Sequence, residues 1–140
     1  YILRGGRFCG NLKHLSGAGR TVKQLYILSY TGHEVYFISD RVGEKAKLQT
    51  EYWLAKLGMQ FPTVILSGDK VPIVRALKAN VFIDDKSSTV LDCAMAAQEE
   101  GWKDFHLFLK AAPYNHIHHP LVRRVTSVEA ALREAGLWQE

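Results

Sequence analysis

The sequence predicts an α/β protein with a mostly parallel sheet, because short apolar runs alternate with helical segments from residue 34 onward. The runs are rich in β-branched and aromatic residues, which is typical of buried strands. Helical segments of about 10–15 residues separate most of them, as in βαβ units. The predicted strands are Glu34–Ser39, Thr63–Leu66, Val81–Asp84 and 104–109, with a small edge strand at 124–125.

Residues that favour helix starts and ends bound the segments between these strands. Gly32, Gly58 and Gly101 follow three of them, where glycine commonly ends a helix. Pro72 lies in a first turn, where proline is tolerated, and Ser127 is placed to cap the last helix. The predicted helices are 20–31, 44–57, 70–78, Ser87–Glu100 and 128–135.

The helix at 44–57 has an apolar face that we expect to pack on the sheet. Its candidate core residues are Leu48, Tyr52, Trp53 and Ala55.

The first part of the chain differs from the rest in composition and charge. Residues 1–17 are glycine-rich without a clear period, and we expect an irregular segment with a short strand near 1–3. Residues 1–33 hold five basic residues and no acid, whereas the remainder holds 13 basic and 14 acidic residues. We therefore divide the chain into a basic N-terminal segment, 1–19, and an α/β core, 20–140. The basic segment suits a nucleic acid, a phosphate or an acidic protein partner, or it is a solvated surface.

Bulk composition narrows the class of protein. The chain has 140 residues, 47% of them hydrophobic and 23% charged, which is ordinary for one globular domain. No stretch approaches the roughly 20 apolar residues that cross a bilayer, and no secretory signal is present. Cys9 and Cys93 do not form a disulfide framework. We expect a cytoplasmic protein with reduced thiols.

Polar residues follow three predicted strands where each strand ends. Ser39 ends the first strand, Lys70 follows the second after a short turn, and Asp84 and Asp85 end the third. Ligands of open parallel sheets bind at the carboxyl ends of strands. Paired carboxylates suit Mg²⁺, and a hydroxyl with an ammonium suits phosphoryl oxygens. Each residue alone has a simpler explanation as a cap or a solvated charge, but the three in this order predict phosphate chemistry.

These residues resemble the motifs of the haloacid-dehalogenase (HAD) superfamily, in its phosphatase branch. The stretch VYFIS, which ends at Ser39, is similar to the second motif of the family. GDKVPIVRAL, which contains Lys70, is similar to the third motif, and VFIDD is similar to the fourth. The resemblance covers roughly residues 20–137. The stretches GHEVYFISDR, QTEYWL, KVPIVRALKANVFIDD and LKAAPYN are most similar to the small 5′(3′)-deoxyribonucleotidase-like members.

The resemblance implies a Rossmann-like three-layer sandwich and a role for each matched residue. Ser39 and Lys70 would bind the phosphoryl group, and Asp84 and Asp85 would hold Mg²⁺ directly or through water.

Further substrate contacts are implied for Arg41, Tyr114 and Asn115. Arg41 has the alternative of pairing with Asp40, and Tyr114 and Asn115 are otherwise turn residues. The histidines His116, His118 and His119 are expected to be surface loop residues rather than a metal site.

The first motif of the family, a strand followed by Asp-x-Asp, is absent from these 140 residues. Before Asp40 the only acid is Glu34, which begins a strand rather than ending one. In the family this strand lies at the centre of the sheet and its first aspartate is the nucleophile. Either a segment upstream of Tyr1 supplies it, which the lack of an initial Met favours, or residues 1–9 supply a strand without the aspartates. The glycine-rich stretch 4–19 is a candidate remnant of a cap.

Two functions remain open from the sequence. The first is a Mg²⁺-dependent phosphomonoesterase, acting on a phosphorylated small molecule such as a nucleoside monophosphate, with its nucleophile outside the 140 residues. The second is a catalytically inactive HAD-like domain that binds a partner or a phosphorylated ligand. In both cases the 140-residue chain alone is predicted to be inactive as a phosphatase.

Overall fold

The sheet and helices predicted from the alternating pattern are present in the structure, a computed structural model that describes Ile2–Arg4, Arg7–Phe8 and residues 18–140. The described residues form one sheet of seven strands and five helices, so the α/β prediction is confirmed. The elements are β1 (Ile2–Arg4), β2 (Arg7–Phe8), α1 (Ala18–Ser29), β3 (Glu34–Ser39), α2 (Ala46–Lys56), β4 (Thr63–Leu66), α3 (Val71–Leu77), β5 (Val81–Asp84), α4 (Ser87–Glu100), β6 (His106–Lys110), β7 (Val122–Val125) and α5 (Val128–Glu134).

The strand order in the described sheet is β4-β3-β1-β5-β6-β7, with β2 paired to β1. The pairs β3 with β4, β5 with β6 and β6 with β7 are parallel. Because β1 is antiparallel to both β3 and β5, those two strands are parallel to each other. Strands β3 to β7 therefore end together along one side, the carboxyl end of the sheet, and begin together along the other, the amino end.

The position between β3 and β5 is occupied by β1. Ile2 pairs with Phe82 and Leu3 with Val81, while Arg4 pairs with Glu34 of β3. The strand contains no acidic residue and runs opposite to its neighbours. Of the two expectations for this position, the described residues match a strand drawn from residues 1–9. The predicted cap remnant at 4–19 falls largely outside the described residues.

The helices cover both faces of the sheet. Right-handed crossovers place α2 on one face and α3 and α4 on the other. Arg75 of α3 donates to Glu100 of α4 at 2.8 Å, and this ion pair joins α3 to α4. Helix α1 lies on the face of α2, since Tyr26 donates to Gln60 in the turn after α2 at 3.3 Å. Helix α5 lies there too, because Arg20 of α1 pairs with Glu129, and the result is a three-layer architecture.

The core is built around β5, whose four residues are all buried. A strand buried on both faces explains why VFID lacks the alternation of a half-exposed strand. Phe82 and Ile83 are 0% exposed, and so are Val90 and Cys93 of α4, which packs against β5. Full burial of an apolar side chain of this size contributes about 1.5–3 kcal/mol. Asp84, the last residue of β5, therefore lies on a strand whose described residues are all buried.

The predicted core face of α2 is wrong for most of its residues. Leu48 and Tyr52 are 67% and 63% exposed, and Ala55 is also exposed, while Trp53 packs against the core as expected. Apolar residues lie on several sides of the helix, so its sequence does not fix which side meets the sheet. The inward residues follow an i, i+4, i+7, i+8, i+11 pattern, namely Ala46, Thr50, Trp53, Leu54 and Leu57.

Several predicted helix ends are confirmed. Ser127 caps α5, with its hydroxyl accepting from the Ala130 N–H at 3.0 Å. Gly101 ends α4 with a φ of 66°, a left-handed conformation that glycine adopts without steric cost. Pro72 lies in the first turn of α3.

None of the helices in the described residues is long and apolar enough to cross a membrane. The longest, α4, has 14 residues and contains three acids, whereas a spanning helix needs about 20 mostly apolar residues.

Candidate active site at the carboxyl end of the sheet

A buried ion pair joins two of the residues predicted from the strand ends. Lys70 directly precedes α3, and its Nζ donates to Oδ2 of Asp84 at 3.0 Å. The side chains are 11% and 2% exposed, so both charges are largely removed from water. The crossover from β4 through α3 to β5 returns the chain to the same end of the sheet, which is why residues 14 apart in sequence meet here.

The second oxygen of Asp84 is held by the backbone that follows it. Its Oδ1 accepts from the N–H of Asp85 at 2.7 Å and from the N–H of Lys86 at 3.3 Å. Both carboxylate oxygens therefore have hydrogen-bond donors, as buried polar atoms generally do. The side chain is fixed in position before any ligand arrives.

Asp85 is half-buried and receives a hydrogen bond from the predicted substrate residue Tyr114. The Tyr114 hydroxyl donates to Oδ2 of Asp85 at 2.7 Å. Burial raises the pKa of Asp85, but hydrogen bonds, led by that from Tyr114, and the charge of Lys110 outweigh it and hold the pKa below its ordinary value. The same hydrogen bond raises the pKa of the Tyr114 hydroxyl. Asp85 is therefore ionised at neutral pH.

Asn115 lies in the interior, with 0% of its surface exposed. Its Nδ2 donates to the backbone oxygens of Asp85 at 2.7 Å and Lys110 at 2.8 Å. Its Oδ1 accepts from the N–H of Ala112 at 2.8 Å. These bonds tie the loop after β6 to the end of β5, so in this structure Asn115 positions Asp85, and a direct contact with substrate stays a prediction.

Arg124 completes this network and was not anticipated from the sequence. Its Nε donates to the Asn115 backbone oxygen at 3.1 Å, and its Nη2 donates to Ala112 O at 2.9 Å and Asn115 Oδ1 at 3.3 Å. The guanidinium on β7 thus holds the loop that carries Tyr114 and Asn115. No local pattern in VRRV indicates this, because the partners are 9 and 12 residues away in a loop of irregular backbone.

The β3 side of the site is more open. The hydroxyl of Ser39, the last residue of β3, accepts from the N–H of Arg41 at 3.2 Å, and the Ser39 carbonyl accepts from Ser67 at 2.9 Å. Arg41 is exposed, and the ion pairs of the described residues include none between it and Asp40. One strand separates β3 from β5, so Ser39 and Asp84 lie on strands about 10 Å apart.

The two adjacent carboxylates match the oxygen ligands that Mg²⁺ prefers. Mg²⁺ is typically held by one or two carboxylates and keeps several waters, so Asp84 and Asp85 suffice in number. In this structure Lys70 and Tyr114 occupy one oxygen of each, so an ion would share or displace these donors. No cluster of three or more histidine, cysteine or acidic side chains suited to a metal occurs in the described part of the chain.

The basic N-terminal segment is only partly described. Arg20 pairs with Glu129 at 3.3 Å and lies 5.1 Å from the centre of the Trp138 ring, so it joins α1 to α5. A partner bound through residues 1–19 stays a prediction, because most of these residues lie outside the described ranges.

Comparison with known proteins finds a similarity to a bacterial protein. No protein-family model matches the chain. A Bacillus cereus protein named "Putative nucleotidase" is 30% identical to it over 111 residues. The match covers 76% of this chain and 53% of that protein, so the chain spans about half the length of the curated relative it matches. The similarity is thus to one part of a protein whose name states a nucleotidase activity.

Proposed function

We propose that this chain forms most of the catalytic core of a Mg²⁺-dependent phosphomonoesterase of the HAD type, acting on nucleoside monophosphates. The observation that carries the proposal is the buried Lys70–Asp84 pair at the carboxyl end of the sheet, with Asp85 beside it. The name of the Bacillus cereus relative supports the nucleotidase part of the proposal.

A buried ion pair at this place is better explained by function than by stability. Removing two charges from water costs several kcal/mol per ion, and their attraction commonly does no more than offset that cost. Well-packed apolar residues of the same size would serve a purely structural role at least as well. Charged groups that are buried at the ligand-binding end of a parallel sheet are therefore candidates for chemistry.

Each residue then has a role that follows from its chemistry. Asp84 and Asp85 would hold Mg²⁺, which offsets the negative charge of the phosphoryl oxygens. Lys70 would bind a phosphoryl oxygen through its ammonium, and Ser39 would donate its hydroxyl to another. Arg41 and Tyr114, both exposed beside the site, would contact the rest of the substrate.

The nucleophile is the part of the machinery that these 140 residues do not contain. In the proposed reaction an aspartate attacks phosphorus, the ester oxygen leaves with a proton, and water then hydrolyses the aspartyl-phosphate. Strand β1 pairs with β5 at Val81 and Phe82, and Ile2–Arg4 contains no carboxylate. We propose that an Asp-x-Asp segment outside the 140 residues joins the site and that the chain without it does not hydrolyse phosphomonoesters.

A second function is favoured by the strand that fills the centre of the sheet. Since β1 already pairs with β5 and β3, the fold can be complete without an Asp-x-Asp strand. Such a domain would bind a phosphorylated ligand or a protein partner and catalyse nothing, with Lys70 and Ser39 holding the phosphate.

The test compares the 140-residue chain with the longest natural protein that contains it. Hydrolysis of nucleoside 5′-monophosphates and p-nitrophenyl phosphate is measured with Mg²⁺ and with EDTA, for the wild type, Asp84→Asn and the exposed control Asp92→Asn. We expect the longer protein to be active with Mg²⁺, Asp84→Asn to lose at least about 10²-fold, and Asp92→Asn to keep its rate. Activity of the 140-residue chain would contradict the proposed location of the nucleophile. An inactive longer protein would support the binding function.

A further inference from the structure

A cavity of about 350 Å³ lies at the amino end of the sheet, opposite the candidate active site. It is partly open to solvent and is lined by the last turns of α1, the start of β3 and the turn that leads into β4. Its volume lies within the range typical of small-molecule sites. Its walls combine aromatic and apolar side chains with a few polar groups, and those used below are Tyr26, His33, Tyr36, Met59, Gln60 and Phe61.

His33 brings an unsatisfied polar atom to this cavity. Its Nδ1 is shielded from solvent and has no hydrogen-bond partner in the part of the chain that the structure describes. Buried polar atoms are nearly always paired, because leaving one unpaired costs the full desolvation penalty. A ligand atom in the cavity could complete this hydrogen bond.

Phe61, which also lines this cavity, has a strained backbone and a side chain that is exposed to solvent. Its φ is 53°, in the left-handed region that bulky residues rarely adopt, and its side chain is 95% exposed. Both the backbone conformation and the exposure of the ring are energetically unfavourable in the protein without a ligand. Strain of this kind persists only where the surrounding structure imposes it, and it is concentrated at active sites and ligand-binding sites. The Phe61 ring lines the cavity, so it can contact a bound ligand.

We infer that this cavity binds a neutral, planar nitrogen heterocycle of the nucleobase type. Phe61 and Tyr36 would provide aromatic contacts to the flat ring, while Met59 supplies apolar contact below them. The His33 Nδ1 and the Gln60 amide would hydrogen-bond to ring nitrogens or exocyclic groups. Glu34 also lines the cavity, and its carboxylate disfavours a phosphate, so the ligand is a base or nucleoside rather than a nucleotide. The inference does not depend on the proposed phosphatase activity, because none of the residues involved belongs to that site.

The experiment is a titration of the 140-residue chain with adenosine and with cytidine, followed by amide and imidazole NMR shifts. We expect shifts at His33 and at residues 60–63, and weaker binding of the matching 5′-monophosphate. Phe61→Gly should weaken nucleoside binding about tenfold or more, the size of one lost stacking contact. Lys78→Gly is the matched control, since Lys78 is exposed and also has a left-handed φ, 49°, but lies outside the cavity.

A second variant separates binding from folding. His33→Phe removes the unpaired nitrogen, so we expect an unchanged or higher melting temperature together with weaker nucleoside binding. The inference is overturned if neither nucleoside shifts these resonances. It is also overturned if benzyl alcohol binds as well as the nucleosides, or if Phe61→Gly and Lys78→Gly bind nucleoside equally.

Discussion

The two sides of the candidate active site differ in how firmly the protein holds them. On the β5 side, Asp84 and Asp85 both accept hydrogen bonds, and the fully buried Asn115 ties their backbone to the next loop. On the β3 side, the Ser39 hydroxyl accepts one N–H, and all of residues 40–45 are exposed.

This difference matches what each side would do in phosphate chemistry. Carboxylates that hold a cation must stay close together against their own repulsion, so they need fixed donors and a rigid strand. A hydroxyl can rotate to meet a phosphoryl oxygen and needs less support in advance. Substitutions on the β5 side should therefore affect folding as well as activity, whereas those on the β3 side should affect mainly ligand binding.

The largest effect on the free energy of unfolding is expected when Lys70 is replaced. Lys70→Met leaves the carboxylate of Asp84 buried without its cation, which should lower the free energy of unfolding by about 3–5 kcal/mol. Urea denaturation at neutral pH measures the change. Lys86→Met is the matched control, because Lys86 is exposed and one residue from Asp85, and it should change stability by less than about 0.5 kcal/mol.

A double-mutant cycle then isolates the pair itself. Since Asp84→Asn carries no charge that needs a cation, the double variant Lys70→Met with Asp84→Asn should be more stable than the sum of the single effects predicts. Strict additivity would mean that the two side chains do not interact as the structure places them.

The residues at the strand ends were the predictable part of the site, for a physical reason. The carboxyl ends of parallel strands meet along one side of a sheet, so Ser39, Lys70 and Asp84 could be grouped from strand assignments alone. Their identities suffice for a hypothesis because a hydroxyl, an ammonium and a carboxylate are each common in phosphate sites. The structure then added the contact between Lys70 and Asp84.

The features that could not be predicted depend on contacts between distant parts of the chain. Arg124 acts through a loop of irregular backbone, so no periodic pattern marks it. The sequence of α2 predicts Leu48 and Tyr52 in the core because apolar residues lie on several sides of the helix, and only the neighbouring elements select the buried side. The direction of β1 was equally hidden, since a strand of three residues has no sequence feature that separates parallel from antiparallel pairing.

A smaller, pH-dependent effect on the free energy of unfolding is expected when Tyr114 is replaced. In the folded protein the pKa of Asp85 is below its ordinary value, so this group contributes stability above that value and loses it as the pH falls through the folded pKa. Tyr114→Phe removes the principal hydrogen bond that lowers the pKa, while burial still raises it. We expect a loss of about 1 kcal/mol at neutral pH, reduced because Tyr114 is largely exposed.

The pH dependence distinguishes this hydrogen bond from simple packing. The stability difference between wild type and Tyr114→Phe should narrow in acid, where Asp85 is protonated in both proteins. Tyr52→Phe, at an exposed tyrosine on α2, is the control and should show no such narrowing. A difference that stays constant from neutral pH to acid would mean that Tyr114 does not set the pKa of Asp85.

The smallest effect on stability, and the clearest one on ligand binding, is expected at Ser39. Ser39→Ala removes one hydrogen bond near the surface, so unfolding should change by less than about 0.5 kcal/mol. If the hydroxyl binds the phosphoryl group, kcat/KM of the longer protein for p-nitrophenyl phosphate should fall about 10²-fold. Ser67→Ala is the matched control at the end of the neighbouring strand, because the Ser67 hydroxyl bonds both backbone groups of Asp69. Equal activity of the two variants would assign Ser39 to the turn after β3, and a loss confined to Ser39→Ala would show that the open side of the site meets the substrate.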